Sequence, residues 1–197
     1  MRLGLYGGTF DPIHLGHLIL AESCREACRL DRVWFVVAGS PPHKLGAKRT
    51  AINERVEMAR LAVAGHPAFE VSELEARRPG PHYSVDTLEA VRLERPDDEL
   101  FFLVGADSLV DLPNWREPGR IAELATLVVV NRPGFAPDDR AIPSGRPILH
   151  VDVPPIGVAS HDLRRRRLEG RSIRYQVPRA VEAYIDARGL YPATGLD

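Results

Sequence analysis

His14 and His17 stand three residues apart behind a glycine pair, Gly7 and Gly8, which itself follows the apolar run Leu3 to Tyr6. Two imidazoles at that spacing on a helix share one face and can both offer hydrogen bonds to one anion. Adjacent glycines let a backbone turn tightly and come close to a ligand. The N–H groups that open the next helix then point at whatever negative charge lies there. Gly16, between the histidines, leaves room for a planar base or a phosphate against the helix. Strand, glycine turn and histidine-bearing helix together read as a site for a nucleotide phosphate. Thr9 and Asp11 also suit a turn or a helix cap, and capping is compatible with ligand binding.

The elements that must position these residues are legible as apolar runs of strand length at Leu3 to Tyr6, Val33 to Ala38, Phe69 to Ser72, Leu100 to Val104, Leu127 to Val130 and Ile148 to Val151. Most are continuous, as expected of strands buried on both faces. Helical patterns at Leu15 to Cys28, Ile52 to Val63, Val85 to Leu93 and Ile121 to Ala125 separate them. Strand then helix, repeated, predicts an α/β fold with a doubly wound, mostly parallel, Rossmann-like sheet. Two helices without an intervening strand follow, about His161 to Glu169 and Pro178 to Arg188, with Gly189 as a C-terminal cap. Ligands of such sheets sit beyond the carboxyl ends of the strands. Four predicted post-strand loops carry polar residues there: Gly7 to His14, Gly39 to Lys44, Gly105 to Ser108 and Asn131 to Gly134.

A length of 197 residues favours a single domain over 1–197, with the last two helices, about 161–188, packing as a C-terminal extension. Hydrophobic residues make up 44% and charged residues 27%, with a formal net charge of −1, so no overall field grips a nucleic-acid backbone. Any phosphate binding is local. No apolar run is long enough for a bilayer span and no signal-peptide pattern is visible, which predicts a cytoplasmic protein without a membrane partner. Cys24 and Cys28, one helical turn apart, are too few for a disulfide framework and read as small core residues. The proline-rich stretch from Arg132 to Pro147 reads as an exposed loop.

Five separated segments carry a family resemblance: GGTFDPIHLGH from Gly7, SPPHK from Ser40, YSVDTL from Tyr83, GADSLVDLPNW from Gly105 and SIRYQVPRAVEAYIDARGLY from Ser172. The H-x-G-H pair resembles that of the class I nucleotidyltransferases, and the longer string is most similar to the nicotinate-nucleotide adenylyltransferases. One segment departs from that pattern. Where the family reads I-S-S-T-x-I-R, this chain has Val158-Ala159-Ser160-His161-Asp162-Leu163-Arg164, so a serine has become Ala159 and a threonine His161. Ser84 also stands where threonine is usual.

The resemblance implies transfer of AMP from ATP to nicotinate mononucleotide, giving deamido-NAD and pyrophosphate in NAD biosynthesis, with Mg2+ carried on the ATP. It implies that His14 and His17 donate hydrogen bonds to phosphate oxygens and that Lys44 and Arg164 hold the departing pyrophosphate. Gly7, Gly8, Thr9, Phe10, Gly105, Asp107 and Ser160 would contact ATP. Asp11, Ser40, Tyr83, Ser84, Thr87, Trp115 and Arg132 would contact nicotinate mononucleotide. By residue type alone, Asp107 is equally a turn residue, Trp115 is more often core than a platform, and the Arg164 to Arg167 run is usually a solvated face, of which only Arg164 matches the family motif. The partners implied are these small molecules, with a homo-oligomer open. The same helix signature occurs in pantetheine-phosphate and cytidylyl transferases and in class I aminoacyl-tRNA synthetases. A nicotinamide mononucleotide acceptor and a non-catalytic dinucleotide sensor on the same fold are further alternatives.

Overall fold

The structure, a computed structural model, describes residues 1–39, 49–131 and 147–193. Its centre is a six-stranded sheet in the order β3-β2-β1-β4-β5-β6. The strands are β1 (Arg2–Gly8), β2 (Arg32–Val37), β3 (Phe69–Ser72), β4 (Glu99–Gly105), β5 (Thr126–Asn131) and β6 (Leu149–Asp152). Every pairing is parallel. Helices α1 (Leu15–Ala27), α2 (Ile52–Val63), α3 (Ser84–Glu94), α4 (Ala106–Asp111), α5 (Pro118–Leu124), α6 (Ser160–Leu168) and α7 (Arg179–Ala187) cover both faces.

Period-2 side-chain alternation divides the strands between two apolar layers. On β4, Phe101 and Leu103 face the layer built with α1, α2, α6 and α7, where Ala21, Met58, Leu163, Val181 and Ile185 are buried. Leu100, Phe102 and Val104 face the other layer, with Leu88 and Val91 of α3, Leu109 of α4 and Ile121 of α5. The last two helices therefore share a core with the first two and do not stand apart from it. Cys24 and Cys28 are buried free thiols in that layer. Burial pushes the Cys24 thiol up to about 12, so it stays protonated in its apolar surroundings. Among the described residues, no helix is long and apolar enough to cross a membrane.

Two expectations change. Gly7 and Gly8 are the last residues of β1, paired with Val36 and Val37, and the turn begins only at Thr9. Gly105 to Ser108 is no loop, because α4 starts at Ala106 and continues into a 3-10 turn, Leu112–Asn114. Ala106, Leu109 and Leu112 recur at a spacing of three and are all buried, which ties that segment onto the sheet. The stretch read as an exposed loop, Arg132 to Pro147, lies outside the described residues except for Pro147.

Candidate active site

The sheet reverses its winding between β1 and β4, and the ends of those two strands open into a cavity of about 1080 Å³. This is the crevice in which doubly wound sheets bind ligands. Its floor includes Gly7, Gly8 and Gly105, one wall includes His14, Gly16 and His17, and the opposite wall includes Ser84, Thr87 and Trp115. The segment from Val153 to Ala159 and the start of α6 close a third side. A Cβ added at Gly7 or Gly105 would meet no protein atom within 4 Å. Packing does not demand glycine at either place, and bare backbone faces the open space.

The local sequence explains the posture of the histidines. The chain leaves β1 through Phe10, whose φ of 48° turns it back so that the ring packs 5.5 Å from Tyr6, edge-on. Gly8 makes this possible, since a Cβ there would lie 2.6 Å from the Phe10 ring. His14 is then the N-cap of α1, in extended conformation, and not a residue of the helix. The two rings meet nonetheless, stacked at a centroid distance of 3.6 Å. Gly16 serves this stack, because its Cβ would sit 3.0 Å from His14 Nδ1. The His14 ring takes the space a Gly16 side chain would use, while Gly16 itself still lines the cavity.

Hydrogen bonding assigns the tautomer of His17. Its Nδ1 accepts the His14 N–H at 3.1 Å, so in the neutral ring the proton is on Nε2 and that nitrogen donates. Burial, and then the neighbouring His14, hold the His17 pKa well below the usual histidine range. Burial lowers that of His14 to about 4. Both rings are thus neutral at physiological pH. Among the described residues His14 Nδ1 is buried without a well-formed hydrogen bond, although the capping box of α1 turns that side chain toward the His17 N–H. Such an atom costs free energy unless something polar meets it.

Phe10, Asp11, Tyr83 and Arg164 do not line the cavity. Asp11 is 3% exposed and its carboxylate is already engaged: Oδ1 accepts the Tyr191 hydroxyl at 2.5 Å and Oδ2 the Thr50 N–H at 3.3 Å. Arg164 donates from Nη1 to the Asp11 carbonyl at 2.6 Å. Tyr83 caps α3 and lies under the Arg116 guanidinium, 4.8 Å from ring to Cζ. Thr9 does line the cavity, as do Ser160, Ser84, Thr87 and Trp115. The Ser160 hydroxyl donates to the Pro12 carbonyl at 2.9 Å, tying α6 to the loop before the histidines. Trp115 packs edge-on against Phe102 with ring centroids 6.3 Å apart and shows its remaining surface to the cavity. Asp107 lies on α4, and its side chain is outside the described residues, as are Ser40, Lys44 and Arg132 altogether.

Glu75 and His82 line the cavity and carried no signal in the sequence. Glu75 accepts the Thr87 hydroxyl at 2.8 Å and the Gly39 N–H at 3.0 Å, joining the end of β2 to α3. Only their positions in a folded chain connect these three residues, so no local motif announces them. None of the described lining residues is lysine or arginine. Anion binding by the described part of the wall therefore rests on imidazole N–H groups and helix N-termini. At α6 the Ser160 and His161 N–H groups precede the first intrahelical bond, which Asp162 makes to Ala159 at 3.0 Å.

The cytidylyltransferase-like family model matches residues 5–166. A Thermomicrobium roseum protein described as a probable nicotinate-nucleotide adenylyltransferase is 54% identical over 195 residues, spanning 96% of this chain and 91% of the relative. A Thermus thermophilus protein of the same description is 52% identical over 191 residues, spanning 97% of this chain and all of the relative, at 100%. The solved structure of Plasmodium falciparum nicotinic acid mononucleotide adenylyltransferase complexed with NaAD superimposes with a TM-score of 0.79 at 18% identity. That superposition covers 96% of this chain and 97% of the other and is a likeness of fold.

Proposed function

The chain belongs to the nicotinate-nucleotide adenylyltransferase family, and from that premise we propose that it transfers AMP from ATP to nicotinate mononucleotide, releasing pyrophosphate and forming deamido-NAD for NAD biosynthesis. The observation that carries this reading is the stacked pair of neutral histidines at the mouth of the β1/β4 crevice, with an Nε2–H donor on His17 and a buried Nδ1 without a well-formed hydrogen bond on His14.

In this reading a 5′-phosphate oxygen of the mononucleotide forms a bond to the α-phosphorus of ATP, while the bond from that phosphorus to the β-phosphate oxygen breaks. The electron pair leaves with pyrophosphate. The nucleophile is an anion at neutral pH, so no serine or cysteine has to be activated. The protein contributes positioning and donors aimed at growing charge. His17 donates from Nε2 to an α-phosphate oxygen, a bond for which the hydrogen bond at Nδ1 fixes the tautomer. His14 serves beside it. The first N–H groups of α6 meet the β- and γ-phosphates, with Ser160 holding that helix against Pro12. Magnesium arrives as part of the substrate, on the ATP oxygens, and offsets their charge.

Gly7 and Gly105 give the adenosine a surface of bare backbone, and the ribose role of Asp107 rests on the family resemblance alone, since its side chain lies outside the described residues. Trp115 stacks on the pyridine ring, and the N-terminus of α3 at Ser84 faces the nicotinate carboxylate with the helix dipole in support. Thr87 orients that helix through Glu75. Lys44 and Arg132 would supply the positive charge that the described wall lacks. Arg164 acts from behind, through the Asp11 carbonyl. To test this, the chain is given magnesium-ATP, or magnesium-CTP in its place, with nicotinate mononucleotide, nicotinamide mononucleotide or phosphopantetheine, and pyrophosphate release is followed. We expect the nicotinate compound to be used best. Release with a different acceptor, and none with it, would overturn the assignment.

A further inference from the structure

The loop that delivers His14 is held by residues that never reach the cavity. Arg55, 2% exposed, donates from Nη1 to the carbonyls of Thr9 and Ala38, both at 2.8 Å, and from Nε to that of Thr50 at 3.0 Å. Asp11 is the second anchor, and the shorter of its two carboxylate bonds comes from beyond α7. The chain turns at Gly189 after α7, reaches Tyr191 and places that hydroxyl on Asp11 across a sequence separation of 180 residues. Tyr191 itself sits at φ 53° and Phe10 at φ 48°, two left-handed backbones that only their surroundings sustain. Between Asp11 and His14 lie only Pro12 and the fully buried Ile13, a stretch with little freedom to absorb a shift.

We propose that Tyr191 is a positioning residue for the transfer reaction: by fixing the Asp11 carboxylate it sets the entry into α1, and with it the place of the His14 and His17 rings in the cavity. The alternative is that the bond merely staples the C-terminus. The molecule contains its own comparison for that case. Tyr184 on α7 donates to Glu54 Oε2 on α2 at 2.7 Å, another tyrosine–carboxylate bond that ties the C-terminal region to the rest, but its acceptor is on α2 and not in the loop that leads into His14.

The kinetic part of this proposal rests on the reading given under Proposed function, whereas the placement of the rings can be read without any substrate. The experiment compares full-length wild type, Tyr191→Phe and Tyr184→Phe by imidazole 15N resonances of His14 and His17, by kcat and KM for magnesium-ATP and nicotinate mononucleotide, and by melting temperature. Each substitution removes one hydroxyl and keeps the ring, so both variants fold. Tyr191→Phe should move both imidazole signals and lower kcat roughly tenfold, with both KM values within about twofold of wild type, the pattern of misplaced catalytic groups. Tyr184→Phe should lower the melting temperature while leaving imidazoles and kcat unchanged. Unmoved imidazole signals in Tyr191→Phe, or equal movement in both variants, would overturn the proposal. A wild-type chain without transferase activity would remove the functional reading alone, and the imidazole comparison would still decide the role of Tyr191.

Discussion

The buried neutral state of His14 makes the protein's stability depend on acid in a way that can be worked out beforehand. Its pKa is lowered from 6.5 to about 4 by burial, so the unfolded chain binds a proton that the folded chain refuses. Stability from this group is therefore complete above the unfolded pKa and is lost as pH falls from about 6.5 toward 4. Between about pH 7.5 and pH 5 the loss amounts to about 2 kcal/mol, a window in which carboxylates titrate little. For a chain of this size that corresponds to a fall of about 4–8 °C in melting temperature. The perturbation is His14→Asn, which keeps a good N-cap and removes the titration. Denaturant unfolding of both proteins at the two pH values is the assay. The variant should lose about 2 kcal/mol less than wild type across the window, while its absolute stability is a separate matter. An equal loss in both proteins would show that His14 is not held neutral by the fold, and the account of its burial would be wrong.

Three further outcomes follow from the same geometry. His17→Ala should fold normally and lower kcat by a factor on the order of a hundred to a thousand, as removal of a transition-state donor does elsewhere; steady-state turnover near wild type would refute its role. Gly16→Ala would place a methyl 3.0 Å from His14 Nδ1, so helix propensity gained is set against a displaced ring, and activity should fall far more than melting temperature. Trp115→Ala should weaken binding of the pyridine nucleotide by about 1–3 kcal/mol and leave ATP binding unchanged in calorimetric titrations, which a purely structural Trp115 would not do.

The strands were legible because burial on both faces writes them as continuous apolar runs, and Leu3 to Tyr6 and Leu100 to Val104 lie well inside β1 and β4. α4 was not, since its buried residues Ala106 and Leu109 occupy a short segment full of apparent turn residues. The glycines carry a second task that the sequence did not show. Gly8 and Gly16 read as room for a ligand and do line the cavity, and each also makes room for a ring of the protein, Phe10 and His14. The histidine pair was recognisable from its place behind a strand and a glycine pair, but its electrostatic state depends on burial and on the stacking of a helix residue against its own cap. Asp11 shows the limit most clearly. Its neighbours in sequence suggest a ligand, while its bonds to Thr50 and Tyr191 come from residues that only folding brings near. Glu75 was silent for the same reason.

The central claim is that the acceptor's own phosphate becomes bonded to the α-phosphorus of ATP in this crevice while pyrophosphate leaves. Nicotinate mononucleotide carrying 18O in its phosphate tests this most directly when it is incubated with the chain and magnesium-ATP and the products are weighed by mass spectrometry. The account predicts that all of the label remains in a dinucleotide of the mass of deamido-NAD and that the pyrophosphate is unlabelled. Label in pyrophosphate, AMP as the released product, or no dinucleotide from a folded protein would contradict it.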